Sequence, residues 1–307
     1  MTDQRSDREG AAERKRRVVR RRRDMDFTPV RNGMDFLLSA FNHLSQRNGT
    51  PGARDLKYAV LHLQAAVEVL LKARLIREHW SLVFSDPGKA KKDDYVKGSF
   101  TSCTVLAAVD RLNNIVTLQI TKEQRQAIGS LADTRNALTH LGHTGSVYAV
   151  EAQAAVVLDF LLSFIHEELA PALSSEAAYV KATMDQLSAR LGQATALVKQ
   201  RSERLEGELR PLADRVVQCV KCLQWAFVLG EDEPSCRFCL VTFTDGHDVA
   251  VEQLTGGMVE AIGECLKCEF EYYTVGIGAR VAKNQTAKIE LCFHCLAVDP
   301  RQDAASV

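Results

Sequence analysis

Leu56, Val60, Leu63, Val67 and Leu70 recur at alternating spacings of four and three, the stripe of a helix that faces a core. The pattern predicts a helix from about Ala53 to His79. Ahead of it, residues 27–46 place Phe36, Leu37, Ala40, Phe41 and Leu44 on one side of a first helical segment, and Asn48-Gly49-Thr50-Pro51-Gly52 separates the two. Glu68 and Lys72 stand four residues apart in the favourable order for a surface ion pair. Residues 85–98 read as a polar loop, and a helix follows over roughly 101–115. The next helix is expected to be capped by Thr121, with Glu123 and Gln124 in its first turn. It runs through Ile128, Leu131 and Leu138 and ends near Leu141, where Gly142 can take the left-handed conformation that closes a helix. Residues 147–170 make a fifth helix, stopped at Pro171. Glu151, Gln153 and Asp159 interrupt its apolar run, as in an amphipathic core helix rather than a membrane span. No strand alternation precedes residue 212, so this part reads as an all-α bundle.

From about 175 to 209 the chain is charged and helical, with Leu187, Leu191, Ala194, Val198 and Leu205 near heptad spacing. Arg201 interrupts that seam and Gly192 weakens it, so a connecting helix is expected, with a dimerising coiled coil as the alternative. Beyond Pro211 short β-rich runs appear, among them Trp225–Leu229 and Glu271–Val275. The expected architecture is mainly α. A basic disordered tail (1–25) precedes a helical bundle (26–171), a long connecting helix (172–211), a small β-rich region (212–300) and a short tail (301–307).

The β-rich region holds eight of the nine cysteines as four Cys-x-x-Cys pairs: Cys219/Cys222, Cys236/Cys239, Cys265/Cys268 and Cys292/Cys295. Two facing pairs supply the four thiolates of one tetrahedral zinc site, so two Zn²⁺ ions and two four-cysteine zinc ribbons are expected. Sequential pairing needs the shorter loop closures and is favoured over a crossed arrangement. A closed four-thiolate shell leaves no position for substrate, which makes these metals structural. His247 and His294 are surplus to complete cysteine sets, and Cys103 reads as a small buried residue. No apolar segment follows the basic start, so a secretory signal is not expected. Reduced, metal-bound thiolates then point to the cytoplasm.

The formal net charge is zero, but residues 14–23 hold eight cations and residues 1–24 carry a net of +5. A basic arm on an acidic body suits a polyanion, and a solvated tail is the plainer account. Met25 is a second possible start. Within 219–240, Lys221 and Arg237 face Glu231, Asp232 and Glu233, so the first ribbon is not strongly basic.

One segment of the bundle could do chemistry: Arg135-Asn136-Ala137-Leu138-Thr139-His140. An imidazole exchanges protons near neutral pH, and a guanidinium can clamp a phosphate and stabilise charge as it develops. Asn136 could orient either group. Asp133, Asn136 and His140 share one helical stripe, whereas Arg135 points about 140° from His140 on a regular helix. His143 is an accessory imidazole.

Arg135-Asn136-x-x-x-His140 at the end of a bundle helix resembles the motif of the HEPN superfamily. The earlier run from His62 to Leu75, with Glu68-x-x-x-Lys72-Ala-Arg-Leu, is similar to that family's early helix, and the resemblance covers about residues 27–170. It implies a HEPN-like bundle and a metal-independent endoribonuclease, with Arg135, Asn136 and His140 as the catalytic set. In such enzymes the RNA 2′-OH attacks the adjacent phosphate, leaving a 2′,3′-cyclic phosphate and a 5′-OH. Their sites are composite across a homodimer, and their settings include toxins, with neutralising antitoxin partners, and defence or stress effectors. Some members have lost catalysis, so the alternative is a dimerising module that presents zinc ribbons to protein or nucleic acid.

Overall fold

The structure, a computed structural model, describes residues 25–45, 51–170, 176–230, 233–243, 252, 262–271, 273–274 and 278–298. The basic tail, Pro171 and His247 lie outside the described residues. Helix α1 (Pro29–Leu44) starts where the Thr28 hydroxyl accepts from the Arg31 amide. It packs along α2 (Ala53–Glu78). The predicted stripe of α2 is buried throughout, but Ala66, Leu71 and Leu75 are buried too. The helix is thus covered on more than one face and forms the axis of the bundle. Lys72 does pair with Glu68, at 2.6 Å, yet it is mostly buried and also donates to Ser102 Oγ at 2.8 Å.

The loop expected at 85–98 is partly ordered as secondary structure. A single turn spans Pro87–Lys89 and a short helix, α3 (Lys92–Lys97), closes on Gly98 at φ 65°. The polar composition hid a helix held on its inner side by Tyr95, which contacts Trp80 and Phe100. Helices α4 (Val105–Asn114) and α5 (Lys122–His140) follow as expected. Thr121 and Gln124 cap α5 reciprocally, and Gly142, at φ 89°, returns its amide to Ala137 O at its end.

Helix α6 (Val147–Phe164) runs on through one wider turn, Ile165–Leu169. Among the described residues it is the one helix long and apolar enough to cross a membrane, and 61% of that window is buried inside the protein. It behaves as a core helix.

The single connecting helix is not formed. Residues 177–209 fold as two helices, α7 (Ala177–Leu191) and α8 (Thr195–Leu209). Gly192 stands at the break, and a Cβ there would lie 2.6 Å from the Cys222 carbonyl oxygen, so this close approach requires glycine. Nor do these helices span a gap: α7 packs on α1 and α8 on α6. Of the near-heptad seam, Leu187, Leu191, Ala194 and Leu205 are buried and Val198 partly buried within the one chain, which leaves the coiled-coil alternative no free seam.

Arg201, which interrupts that seam, is fully buried. Its guanidinium pairs with Asp159 of α6 and donates to the carbonyls of Phe238, at 2.5 Å, and Arg237, at 3.2 Å. Arg204 completes a bidentate contact with the same carboxylate at 2.6 and 3.0 Å. Burial pushes the Arg201 guanidinium below its ordinary range and Asp159 opposes that shift.

The C-terminal region is a small antiparallel sheet. Strands β1 (Val216–Gln218), β2 (Trp225–Val228), β3 (Ser235–Cys236), β6 (Ala279–Val281) and β7 (Asn284–Ile289) are ordered β3-β2-β1-β6-β7. Strands β4 (Ile262–Gly263) and β5 (Tyr273–Thr274) pair separately. The β6–β7 hairpin sits before the last cysteine pair yet joins the sheet of the first two, through Val217 and Val281.

Truncating Arg201 leaves a buried carboxylate short of a partner and strips two carbonyls. Arg201→Ala is therefore expected to destabilise the metal-loaded protein by about 3 kcal/mol or more in urea denaturation. A double Arg201→Met, Asp159→Leu variant should recover much of that loss, because the uncompensated charge is gone. A loss under about 1 kcal/mol for Arg201→Ala would show that the pair does not hold the helices to the sheet.

Candidate functional site

The cysteines assemble sequentially. Cys219, Cys222, Cys236 and Cys239 form one group, Cys265, Cys268, Cys292 and Cys295 the other, with all sulfurs of each within 4.8 Å of one another. Across pairs, Cys219 and Cys239 are 3.7 Å apart, Cys222 and Cys236 3.7 Å, Cys265 and Cys295 3.7 Å, and Cys268 and Cys292 3.6 Å. A tetrahedron of zinc–sulfur bonds has an edge of roughly 3.8 Å. The donor set therefore fits two divalent ions of the thiophilic kind.

Each pair is built by the same backbone turn. The residue after the second cysteine returns its amide to the carbonyl of the first: Leu223 to Cys219, Leu240 to Cys236, Glu269 to Cys265 and Leu296 to Cys292. The amide of each first cysteine binds the carbonyl two residues past the second, as Cys219 does Gln224 O at 2.9 Å. These four closing residues have φ of 61, 62, 63 and 61°. None is glycine, so each carries about 1 kcal/mol of backbone strain that the surrounding contacts must hold. Amides also point at the sulfurs, with Cys239 N 3.4 Å from Cys236 Sγ and Lys267 N 3.4 Å from Cys265 Sγ.

One sulfur of each cluster favours negative charge, while neighbouring sulfurs and burial push Cys222 and Cys236 up in the first cluster and burial pushes Cys268 and Cys292 up in the second. Contacts from Cys222, Cys236 and Cys239 hold the Cys219 thiol far below its usual range. Burial raises Cys265, but the amides of Lys267 and Cys268 and the sulfurs of Cys295 and Cys268 outweigh it and set the thiol at about 7. The two clusters differ in setting. The first is wholly buried and continuous with the bundle's apolar core, whereas Cys268 and Cys295 of the second are only half-buried. Ser188 of α7 donates to Cys239 O at 3.3 Å. His294 faces solvent against Phe270 and belongs to neither cluster. Cys103 is buried, and burial pushes its thiol up, as suits a packing residue.

Arg135, Asn136 and His140 lie in the last two turns of α5. Arg135 is half-buried and donates from Nη1 to Asn136 Oδ1 at 2.9 Å. His140 is exposed in the final turn, and Asp133 and His143 are exposed beside it. Among the described residues no side chain engages the His140 imidazole, and Arg135 does not reach it. The segment thus offers a proton-transfer group and a cation on one helix end without joining them in a single chain. The Asp159–Arg201–Arg204 group was missed by sequence reasoning. Its signals were two charges at apolar positions, Asp159 in the run of 147–170 and Arg201 in the seam, and each reads equally well as a defect. Compared with family models, curated proteins and solved structures, the chain has no match.

Freshly purified protein should contain two thiolate-bound metal ions per chain by elemental analysis. Because metal binding is linked to folding, Cys219→Ser should unfold helices α7 and α8 along with the sheet and lower the helical circular dichroism. Cys265→Ser should disturb the second cluster and leave the helical signal largely intact. Equal losses from the two variants would contradict the different anchoring of the clusters.

Proposed function

We propose that this chain is a metal-independent endoribonuclease of the HEPN type, with the cysteine-rich region folded as two structural four-cysteine zinc ribbons. The observation that carries the reading is the Arg135-Asn136-x-x-x-His140 run, with its exposed imidazole unengaged among the described residues at the end of a capped helix. In the chemistry that the resemblance implies, the 2′-oxygen forms a bond to phosphorus as the bond to the 5′-oxygen breaks. His140 moves the proton between the 2′-OH and the leaving oxygen. Arg135 stabilises the charge of the crowded phosphorus centre, and Asn136 steadies its guanidinium. Zinc enters no step, because four thiolates close its shell.

One chain separates Arg135 from His140, so the active form is a two-fold homodimer in which each copy completes the other's site. Leu141 is 92% exposed and Tyr148 76% exposed. Large apolar side chains this bare, flanking the motif, support an interface at that end of the bundle. The cytoplasm is the expected compartment, RNA the substrate, and a toxin, defence or stress role the setting, with a protein antitoxin as the class of partner that setting implies. A second reading has its own support. The Arg135–Asn136 bond turns the guanidinium toward its neighbour rather than His140, as would suit a non-catalytic dimerisation bundle that presents zinc ribbons.

Incubated with total RNA, the wild type should give 2′,3′-cyclic phosphate and 5′-OH ends, and brief EDTA that spares the structural metal should not stop it. His140→Ala and Arg135→Ala should each slow cleavage by about 10²-fold or more with the helical signal unchanged, and Asn136→Ala by less. Equal RNA handling by the wild type and both variants would sink the enzyme reading in favour of the binding module. Separately, Leu141→Glu with Tyr148→Glu should convert a dimer to a monomer in sedimentation velocity and abolish cleavage. A wild type that is monomeric at micromolar concentration would remove the composite site.

A further inference from the structure

A second feature of the C-terminal region lies far along the chain from the Arg135–His140 segment. The sheet registers Gln218 of β1 opposite Trp225 of β2, and the Val217–Val281 pairing sets Gln218 alongside Arg280 of β6. The register shift between Ala279 and Val281 carries Lys288 of β7 into the same groove. Trp225, Gln218, Arg280 and Lys288 thus line one cleft of about 530 Å³ between the two cysteine clusters, floored by Phe293.

Its charge is one-sided. Residues 272–289 contain Arg280, Lys283 and Lys288 and no acidic residue. Arg280 and Lys288 are both exposed, and neither has an ion pair among the described residues. Two like charges on neighbouring strands repel each other, a cost that an anion would reverse. Trp225 is half-buried, with its far side toward Glu203 and Glu206 of α8. Those carboxylates bar a polyanion from that side and turn it toward β6 and β7. A planar aromatic that shares one open cleft with two exposed cations, across strand β1 from them, matches how proteins hold single strands, by base stacking and phosphate contact.

We infer that this cleft binds a short single-stranded stretch of nucleic acid, with phosphates against Arg280 and Lys288 and a base on Trp225. Binding here involves no bond-breaking and does not depend on the chemistry proposed for His140. The two sites would let the protein hold a strand in one place and act on it in another.

The test uses full-length, metal-loaded protein carrying His140→Ala, so that binding is read apart from cleavage, with fluorescein-labelled oligo(U) and oligo(dT) followed by anisotropy across a salt series. Single strands of either sugar should bind. The double variant Arg280→Gln, Lys288→Gln should weaken binding about tenfold or more and lower the slope of log K against log salt by roughly 1.4, for two lost phosphate contacts. Trp225→Ala should weaken binding about tenfold with the slope unchanged, and Trp225→Phe should restore most of it. Metal content and helical signal equal to the parent would exclude misfolding. The proposal is overturned by the parent failing to bind either oligonucleotide, by variants that bind as the parent does, or by tighter binding of duplex than of single strands. Displacement of the probe by poly-glutamate as readily as by unlabelled oligo(U) would also overturn it and assign the face to an acidic protein partner.

Discussion

Much of this architecture depends on a buried guanidinium. Arg201 has no exposed surface and binds a carboxylate of the bundle on one side and two carbonyls of a cysteine turn on the other. Charges are removed from water only when their partners are close and complete. Asp159 receives two arginines, Arg201 and Arg204, which leaves one positive charge in excess. Four thiolates around a divalent ion carry two negative charges, and Cys236 already favours the Arg201 cation electrostatically. The one positive charge in excess would offset one of those two negative charges. This coupling makes the first metal centre part of the bundle's interior rather than an appendage to it.

The cysteine turns show how a metal can impose a backbone that the sequence does not favour. Four non-glycine residues sit in the left-handed region, each closing one Cys-x-x-Cys turn with the same amide-to-carbonyl bond. The strain recurs at four equivalent places, so it belongs to the turn and not to an accident of packing. Once formed, each turn aims amides at sulfur and so favours the thiolate that a metal needs. Folding and metal binding then support one another, more strongly at the buried first cluster than at the half-exposed second.

Two surfaces are left unfinished by this packing. At the end of α5, an arginine and a histidine on different sides of one helix are flanked by bare Leu141 and Tyr148. On the sheet, two cations and a tryptophan share a cleft with no carboxylate among its lining residues. Both arrangements make physical sense with something added. Under the readings proposed above, a second copy would complete the first and a polyanion the second.

The sequence by itself determined the helices whose apolar spacing is regular, the reciprocal cap at Thr121, the stop at Gly142 and the grouping of cysteines into two sets of four. These are local rules, set by periodicity, capping chemistry and short loop closure, and they read without knowledge of distant residues. Only the tertiary structure decided the rest. Residues 177–209 look like one helix, yet the chain breaks after Leu191, where Gly192 lies against the Cys222 carbonyl 30 positions away. Arg201 looks like a flaw in a seam until Asp159 and Phe238 are placed beside it. Lys72 looks like a surface charge until Ser102 folds over it, and the run at 85–98 looks like a loop until aromatic contacts hold α3 in place. The cleft at Trp225 and Lys288 is likewise invisible along the chain, because strand register, not sequence spacing, brings its four residues together. Charged side chains are ambiguous in a sequence because their partners are distant, and burial, which decides their meaning, is a property of the whole fold.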